Sequence, residues 1–214
     1  GTGKSTTAAH LICHLLIRAD PSQSKPLLVC CPSNKACDRL LRLFLMAEMS
    51  QQKKIVRVYA KSIEQNHWRD PRAPFCRDYE IDPDHLQYAL HQQVELDDPE
   101  LKKQYLDIVS KLQDACPKPG QLMELHEKLD EMRKQKENTS KDILKQEEVI
   151  FTTCDCACND RLFNKMTFPS VIIDEAAQAL EPELARCCWL ASEHLALFGD
   201  HEQLGPVLTE QSRF

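Results

Sequence analysis

Glycine is scarce in this sequence, with only five among 214 residues. With 42% apolar and 28% charged residues, the composition excludes a collagen-like fibre and a disordered tail. In a chain with so few glycines, we expect each one to lie where the backbone needs a conformation or a close approach that a side chain would prevent. Four of the five lie in two short motifs: Gly1, Gly3, Gly199 and Gly205.

Long apolar runs are also missing. No stretch approaches the roughly 18 residues that a membrane-spanning helix needs, and nothing resembles a secretory signal. We therefore expect a soluble protein without membrane contacts. The length of 214 residues predicts one domain with an inserted segment.

Cysteine, in contrast, is abundant, with eleven in the chain. A small secreted protein with that number would be a disulfide scaffold, but this chain is long enough for a core and shows no export signal. We expect reduced thiols in an intracellular protein. The Cys154-Asp-Cys-Ala-Cys158 string is weak as a metal site, because no second cluster lies at zinc-like spacing, and small side chains at a strand end explain it equally well.

The net charge of −6 is unevenly distributed. Residues 1–63 contain 10 Lys and Arg against 3 Asp and Glu, whereas residues 64–148 contain 13 against 20 and residues 149–214 contain 4 against 10. Because the field in a groove depends mainly on nearby charge, the basic first third can still form a phosphate-binding surface.

Apolar runs alternate with helical patterns along most of the chain, which predicts a parallel α/β sheet with flanking helices. The predicted strands are 26–31, 54–60, 148–153, 170–174 and 195–198, and the predicted helices are 4–18, one from Asn34, and 182–191. Polar residues follow the strands, so chemistry is expected at the carboxyl edge of the sheet.

The pattern changes between residues 65 and 147, which predicts a mainly helical insertion into a domain formed by residues 1–64 and 148–214. Two apolar stripes at helical spacing flank the turn at 117–120 and predict an antiparallel helical hairpin. A solvated insertion that packs only against itself and a functional arm remain open. The stripes are Leu101, Tyr105, Ile108 and Leu112, then Leu122, Leu125, Leu129 and Met132.

The segment Gly1-Thr-Gly-Lys-Ser-Thr6 contains the second half of a phosphate-binding loop. Its glycines let backbone N–H groups wrap phosphates at a helix start. Lys4 would reach the outer phosphates and Ser5 would bind Mg²⁺. A simple capped helix start is the alternative. The strand that normally precedes such a loop is expected before Gly1.

A hydrophobic strand then delivers two adjacent carboxylates, Asp174 and Glu175. Asp174 suits the Mg²⁺ shell, and Glu175 is placed to orient or deprotonate an attacking water. Alone, the pair could equally cap a helix. Paired with the phosphate loop, it favours nucleotide hydrolysis.

Two further polar segments follow strands. Gln203, in the Gly199–Pro206 string, could hydrogen-bond the terminal phosphate or its water, although composition alone indicates only a tight turn. Ser33 and Asn34 follow the strand that ends at Cys31 and offer donors to a sugar-phosphate backbone, or simply cap the next helix.

In this order, these strings resemble the superfamily 1 helicases of the up-frameshift type, the group that contains the nonsense-mediated decay helicase. The resemblance covers nearly the whole chain except the hairpin. It rests on Gly1–Thr6, Pro32–Asp38, Val56–Ser62, Phe151–Cys154, Asp174–Gln178 and Gly199–Val207.

The resemblance implies the first RecA-like P-loop NTPase domain of an ATP-dependent motor that moves 5′ to 3′ on single-stranded RNA or DNA. We expect it in the cytoplasm, with the nucleus as the alternative. Its partners would be a second RecA-like domain and decay or regulatory proteins. ATP would bind Gly1, Thr2, Gly3, Lys4, Ser5 and Thr6. Mg²⁺ would bind Ser5 and Asp174. The catalytic residues would be Lys4, Asp174, Glu175 and Gln203. The nucleic acid would contact Pro32, Ser33, Asn34, Thr152 and Thr153.

The second domain normally supplies arginines that accelerate hydrolysis by roughly 10³–10⁵, so we expect these residues alone to be nearly inactive. The other hypotheses are a nucleotide- and RNA-binding scaffold without turnover, or a related helicase of RNA silencing, antiviral defence or DNA repair.

Overall fold

The structure of the protein is a computed structural model. It describes residues 3–19, 25–47, 53–60, 63, 81–114, 119–158, 160–163 and 165–206. The chain divides into two compact units, one of residues 1–59 and 145–214 and the other of residues 60–144. The predicted boundaries at 64/65 and 147/148 stay predictions, and the first of them lies among residues 64–80, outside the described part.

The first unit is built on a five-stranded sheet with the order β2-β3-β1-β4-β5. Every neighbouring pair is parallel, which confirms the predicted fold class. The three inner strands carry the apolar core, because both of their faces are covered. The strands are β1 (Leu27–Cys31), β2 (Ile55–Val58), β3 (Val149–Thr153), β4 (Phe168–Ile173) and β5 (Ala191–Leu197).

Two helices of this unit follow the predicted pattern. Helix α1 (Lys4–Arg18) has the predicted bounds and buries Ala8, Ile12 and Leu16, one helical turn apart. Helix α2 (Asn34–Leu45) begins after Ser33, whose hydroxyl oxygen accepts a hydrogen bond from the N–H of Ala36 at 3.2 Å.

The described part of the second unit is mainly helical, and its two longest helices bury residues of the predicted apolar stripes. Leu101, Tyr105 and Ile108 are buried on one helix, and Leu129 and Met132 on the next. The helices are α3 (Pro83–Leu86), α4 (Leu90–Asp97), α5 (Pro99–Asp114) and α6 (Pro119–Gln146).

A hydrogen bond fixes the direction of the hairpin. The Gln135 side-chain amide donates to the Asp98 carboxylate at 2.9 Å, which places the middle of α6 beside the start of α5, as an antiparallel pair requires. Residues 115–118 of the predicted turn lie outside the described part. None of the helices described combines the length and apolarity that crossing a membrane requires.

The short helices α7 (Cys154–Ala157), α8 (Asp160–Phe163) and α9 (Glu181–Trp189) complete the first unit. The nine cysteines in the described part of the chain are free thiols. The pKa of Cys30 is raised well above its usual value by its hydrogen bond with the Cys187 thiol and by complete burial, so it behaves as a small apolar residue. Among the described residues, no cluster of three or more His, Cys, Asp and Glu side chains is arranged to hold a metal ion.

Candidate functional site

The candidate site lies along the carboxyl edge of the sheet. Because β1, β3, β4 and β5 are all parallel, the segments that follow them emerge at the same edge. Ligands of open α/β sheets bind at this edge. Most of the residues predicted from the sequence to bind nucleotide or nucleic acid lie on these segments or at the start of α1.

The start of α1 is shaped by a left-handed backbone. Gly3 precedes the helix with a φ of 78°, a conformation that favours glycine. The carbonyl of Gly3 accepts from the N–H of Thr7 at 2.9 Å and from its hydroxyl at 3.1 Å. Ser5 is buried and Thr6 is exposed. Gly1 and Thr2, the first residues of the predicted phosphate loop, lie outside the described part.

Lys4 is held against the loop that follows β5. Its ammonium nitrogen lies 3.5 Å from Oδ2 of Asp200, which also accepts a hydrogen bond from the Gln203 side chain at 2.8 Å. The N–H of Glu202 and then the Gln203 amide lower the pKa of the Asp200 carboxyl, so the carboxylate is charged. Two residues predicted from separate motifs, Lys4 and Gln203, therefore meet at one carboxylate that the sequence analysis did not assign.

The acidic pair follows the neighbouring strand, β4. Asp174 is 1% exposed, its N–H donates to the carbonyl of Cys30 at 3.0 Å, and its Oδ1 has no hydrogen-bond partner. Glu175 has a φ of 55°, which is unusual for a residue other than glycine and typical of functional sites. The Gln178 side chain donates to the Glu175 carboxylate at 3.3 Å. The two carboxylates thus differ, one buried and one accessible.

The loops after β4 and β5 touch through their backbones. The N–H of Ala176 donates to the carbonyl of Phe198 at 2.7 Å, and the N–H of Phe198 donates to the carbonyl of Ile173 at 2.8 Å. This pairing extends the β4–β5 contact by one step and carries Asp174 and Glu175 beside the segment that holds Asp200.

Replacing Gly199 by alanine is expected to destabilise the protein by about 1–3 kcal/mol. A β-carbon there would lie 3.0 Å from the backbone nitrogen of Ala177 and 3.4 Å from its β-carbon. Urea unfolding measures the loss. Gly205→Ala is the matched control, because nothing lies within 4 Å of its β-carbon position. Equal stability of the two variants would contradict the close approach.

The residues predicted for Mg²⁺ fit that ion by their chemistry. Mg²⁺ prefers oxygen ligands, and Ser5 and Asp174 both supply them. A buried carboxylate oxygen without a partner is costly unless something binds it. Oδ1 of Asp174 is such an atom.

A family model described as an AAA domain matches residues 1–211. The chain belongs to this family. The match includes the phosphate loop, the acidic pair and the Gln203 loop in one domain.

The relatives of this AAA domain bear out the resemblance to up-frameshift helicases. The chain is 36% identical over 208 residues to the Regulator of nonsense transcripts 1 homolog of Neurospora crassa. It is 32% identical over 218 residues to the ATP-dependent helicase upf1 of Schizosaccharomyces pombe, and 33% identical over 211 residues to the ATP-dependent helicase NAM7 of Saccharomyces cerevisiae. The alignments cover 97–99% of this chain, but the chain spans only 16–20% of the length of these three relatives.

The segments of the AAA domain predicted to contact nucleic acid differ in accessibility. Ser33 is exposed, and Pro32 and Asn34 are partly exposed. Thr152 is buried, and its hydroxyl donates to the carbonyl of Val58 at 3.3 Å. The structure therefore gives no support to a side-chain contact from Thr152.

Thr153 has a different position. Its hydroxyl oxygen caps α7 by accepting from the N–H of Cys156 at 3.2 Å, and its side chain is largely buried. The cap uses the oxygen as an acceptor, so the hydroxyl proton stays available to an acceptor such as a phosphate.

Sequence reasoning missed three residues that contact predicted site residues in this AAA domain. Arg57 donates to Asn34 Oδ1 at 2.8 Å, Gln178 donates to Glu175, and Asp200 pairs with Lys4. Asp200 lies two residues after the end of a predicted strand, and that position was a usable signal. Arg57 lies inside a strand and Gln178 inside a short turn, so no local pattern distinguishes them.

Proposed function

We propose that this AAA domain is the ATP-binding motor domain of an ATP-dependent helicase that moves 5′ to 3′ on single-stranded RNA or DNA. The observation that carries the proposal is the meeting of Lys4, Asp200 and Gln203 at the carboxyl edge of the sheet. The neighbouring strand β4 ends at the same edge in Asp174, whose buried carboxylate oxygen lacks a partner. The names of two relatives, ATP-dependent helicases, support the same activity.

Each residue of the site has a chemical task in this proposal. Lys4 neutralises phosphate charge at the start of α1, where the helix dipole also favours anions. Ser5 and Asp174 hold Mg²⁺, which supplies charge neutralisation on the phosphates. Glu175 accepts the proton of the attacking water, and Gln203 orients that water.

The nucleic acid would lie across the segments after β1 and β3. Pro32, Ser33, Asn34 and Thr153 supply the contacts, chiefly to the sugar-phosphate backbone, and the strand is single because a motor tracks one strand. We infer a second RecA-like domain across the cleft, whose arginines complete the site, and decay or regulatory proteins as further partners. Relatives named as regulators of nonsense transcripts support a role in RNA quality control, in the cytoplasm or the nucleus.

The test is phosphate release from ATP by the full-length protein, with and without single-stranded RNA or DNA. We expect stimulation by either strand and displacement of a duplex that carries a 5′ overhang, but not a 3′ overhang. The 214 residues alone should release phosphate slowly because the arginines from the second domain are absent.

A nucleotide- and RNA-binding scaffold without turnover is the competing hypothesis. It predicts that the full-length protein binds RNA yet shows no RNA-stimulated phosphate release, and that Lys4→Ala leaves the residual rate unchanged. Those two results together would replace the helicase proposal. Stimulation that Lys4→Ala abolishes would exclude the scaffold.

A further inference from the structure

Arg57, in the middle of β2, is the feature of the first unit that the proposed chemistry leaves unexplained. Its side chain is fully buried, yet it donates hydrogen bonds to Asp38 Oδ1 at 2.9 Å, to the Val58 carbonyl at 2.5 Å and to Asn34 Oδ1 at 2.8 Å. The guanidinium also lies 4.1 Å from the centre of the Tyr59 ring. Each of the three guanidinium nitrogens thus donates a hydrogen bond to a neighbour in the same unit.

The guanidinium remains charged in this interior. Burial lowers the pKa of Arg57, but the neighbouring Cys37 and Asp38 outweigh it and raise the pKa overall. A buried ion pair is seldom the most stable solution, because apolar residues of similar volume serve stability at least as well. An arginine at this position is therefore better explained by the groups that its planar guanidinium holds in place.

The hydrogen bond from the Arg57 guanidinium determines the orientation of the Asn34 side-chain amide. Arginine has donors and no acceptor, so the atom of Asn34 that faces it must be the amide oxygen. The amide nitrogen is then left as a donor at the first turn of α2, next to the exposed Ser33. A donor in that place suits a phosphate or sugar oxygen.

A second hydrogen bond of the guanidinium links Arg57 to the end of β3, the other segment predicted to contact nucleic acid. The Val58 carbonyl accepts from both Arg57 and the hydroxyl of Thr152, whose strand pairs with β2 at this position. The thiol of Cys37, on α2, donates to the carbonyl of Thr152 at 3.4 Å. One buried cation therefore joins the segment after β1 to the last residues of β3.

We infer that Arg57 is a positioning residue for nucleic-acid binding: anchored by the Val58 carbonyl and by Asp38, it fixes the Asn34 amide with its nitrogen available to the strand. This inference rests on the proposed function. It adds a residue that touches neither nucleotide nor nucleic acid and lies outside the phosphate loop and the acidic pair.

The test is a double-mutant cycle in the full-length protein, using fluorescence anisotropy of a labelled oligouridylate. Arg57→Lys keeps the charge but not the planar fork, so Asn34 loses its fixed orientation. We expect about 5–10-fold weaker binding, the effect of losing one ordinary hydrogen bond from the Asn34 amide to the strand. In an Asn34→Ala background, Arg57→Lys should change binding less than twofold, because its effect passes through Asn34. Affinity for a fluorescent ATP analogue should stay within about twofold in every variant.

Tyr59→Phe is the matched control. It removes the hydroxyl bond to Asp38 at 3.4 Å on the far side of Arg57 and leaves the Asn34 contact intact, so oligouridylate binding should not change. Equal losses from Arg57→Lys with and without Asn34, or equal losses of nucleotide and oligouridylate affinity, would overturn the inference while leaving the helicase proposal standing.

A second variant guards against Arg57→Lys failing to fold. Asn34→Asp keeps an acceptor for Arg57 but has no amide donor, so it should melt at or above the wild-type temperature, whereas Asn34→Ala should melt lower. Both should bind oligouridylate more weakly. Wild-type-like binding by Asn34→Asp would refute the role of the amide donor, and failure of the wild type to bind any single strand would remove the proposed function and this inference together.

Discussion

Replacing Glu175 by glutamine should reduce ATP hydrolysis in the full-length protein by roughly 10²–10⁴-fold, the range that a positioned general base contributes. The amide has the same shape as the carboxylate but cannot accept a proton near neutral pH. The unusual backbone conformation and the hydrogen bond from Gln178 hold this side chain in place, so the change should affect chemistry more than geometry. Single-turnover phosphate release measures it.

Nucleotide binding separates loss of the base from general damage. Glu175→Gln should bind a fluorescent ATP analogue within about twofold of the wild type, since Glu175 is not placed on the phosphates or the metal. Glu202→Gln is the control for the same chemical change, because Glu202 is an exposed carboxylate on the loop after β5. If both variants retain full hydrolysis, Glu175 is not the base.

Lys4→Ala should weaken ATP binding by about 10–100-fold and abolish measurable turnover, because it removes the cation predicted to contact the outer phosphates. In the structure this ammonium lies at the start of α1, 3.5 Å from Asp200. Its loss leaves the Asp200 carboxylate uncompensated beside the phosphate site, which adds repulsion to the lost attraction. Titration of a fluorescent ATP analogue measures the affinity.

Lys25→Ala provides the comparison for Lys4→Ala. Lys25 is exposed and lies before β1, at the amino end of the sheet, so its removal changes the net charge equally but away from the carboxyl edge. ATP affinity should then be unchanged. Equal weakening by both substitutions would mean that overall charge, and not the phosphate loop, governs ATP binding.

Most of the sheet could be predicted because its inner strands are continuous apolar runs. Residues 27–31 are apolar and buried throughout, and residues 149–153 are buried throughout and begin with three apolar side chains, so apolarity marks both strands. Strand β5 begins at Ala191, four residues before the predicted start at residue 195. The prediction began late because Ser192, Glu193 and His194 are exposed and polar. Backbone pairing with β4 makes this segment a strand, and that pairing has no local signature.

The helical unit was predicted only where its pattern is long. The stripes of α5 and α6 extend over several turns and indicate helices clearly, although Leu122 is exposed. Helices α3 and α4 have four and eight residues, too few for a reliable period. Their starts at Pro83 and Leu90 depend on contacts within the unit.

The site was predictable where a motif carries a chemical task and not where a residue acts through another. Lys4, Asp174 and Gln203 have side chains that a phosphate or metal needs, and their spacing is typical of nucleotide hydrolysis. Asp200 acts through its contact with Lys4, which lies 196 residues away in the sequence. Arg57 acts through its contact with Asn34, which lies 23 residues away. Thr152 is the reverse case: its hydroxyl donates to the carbonyl of Val58 inside the sheet, and its predicted contact with nucleic acid stays a prediction.

The bond between the Ala176 N–H and the Phe198 carbonyl makes the two loops that it joins difficult to separate. With Gly199 seated against Ala177, a shift of either loop forces a shift of the other. Proton abstraction at one loop and phosphate sensing at the other would then be concerted events. The Ala176 amide would serve as a natural reporter of that motion, because its exchange with deuterated solvent requires the loops to part.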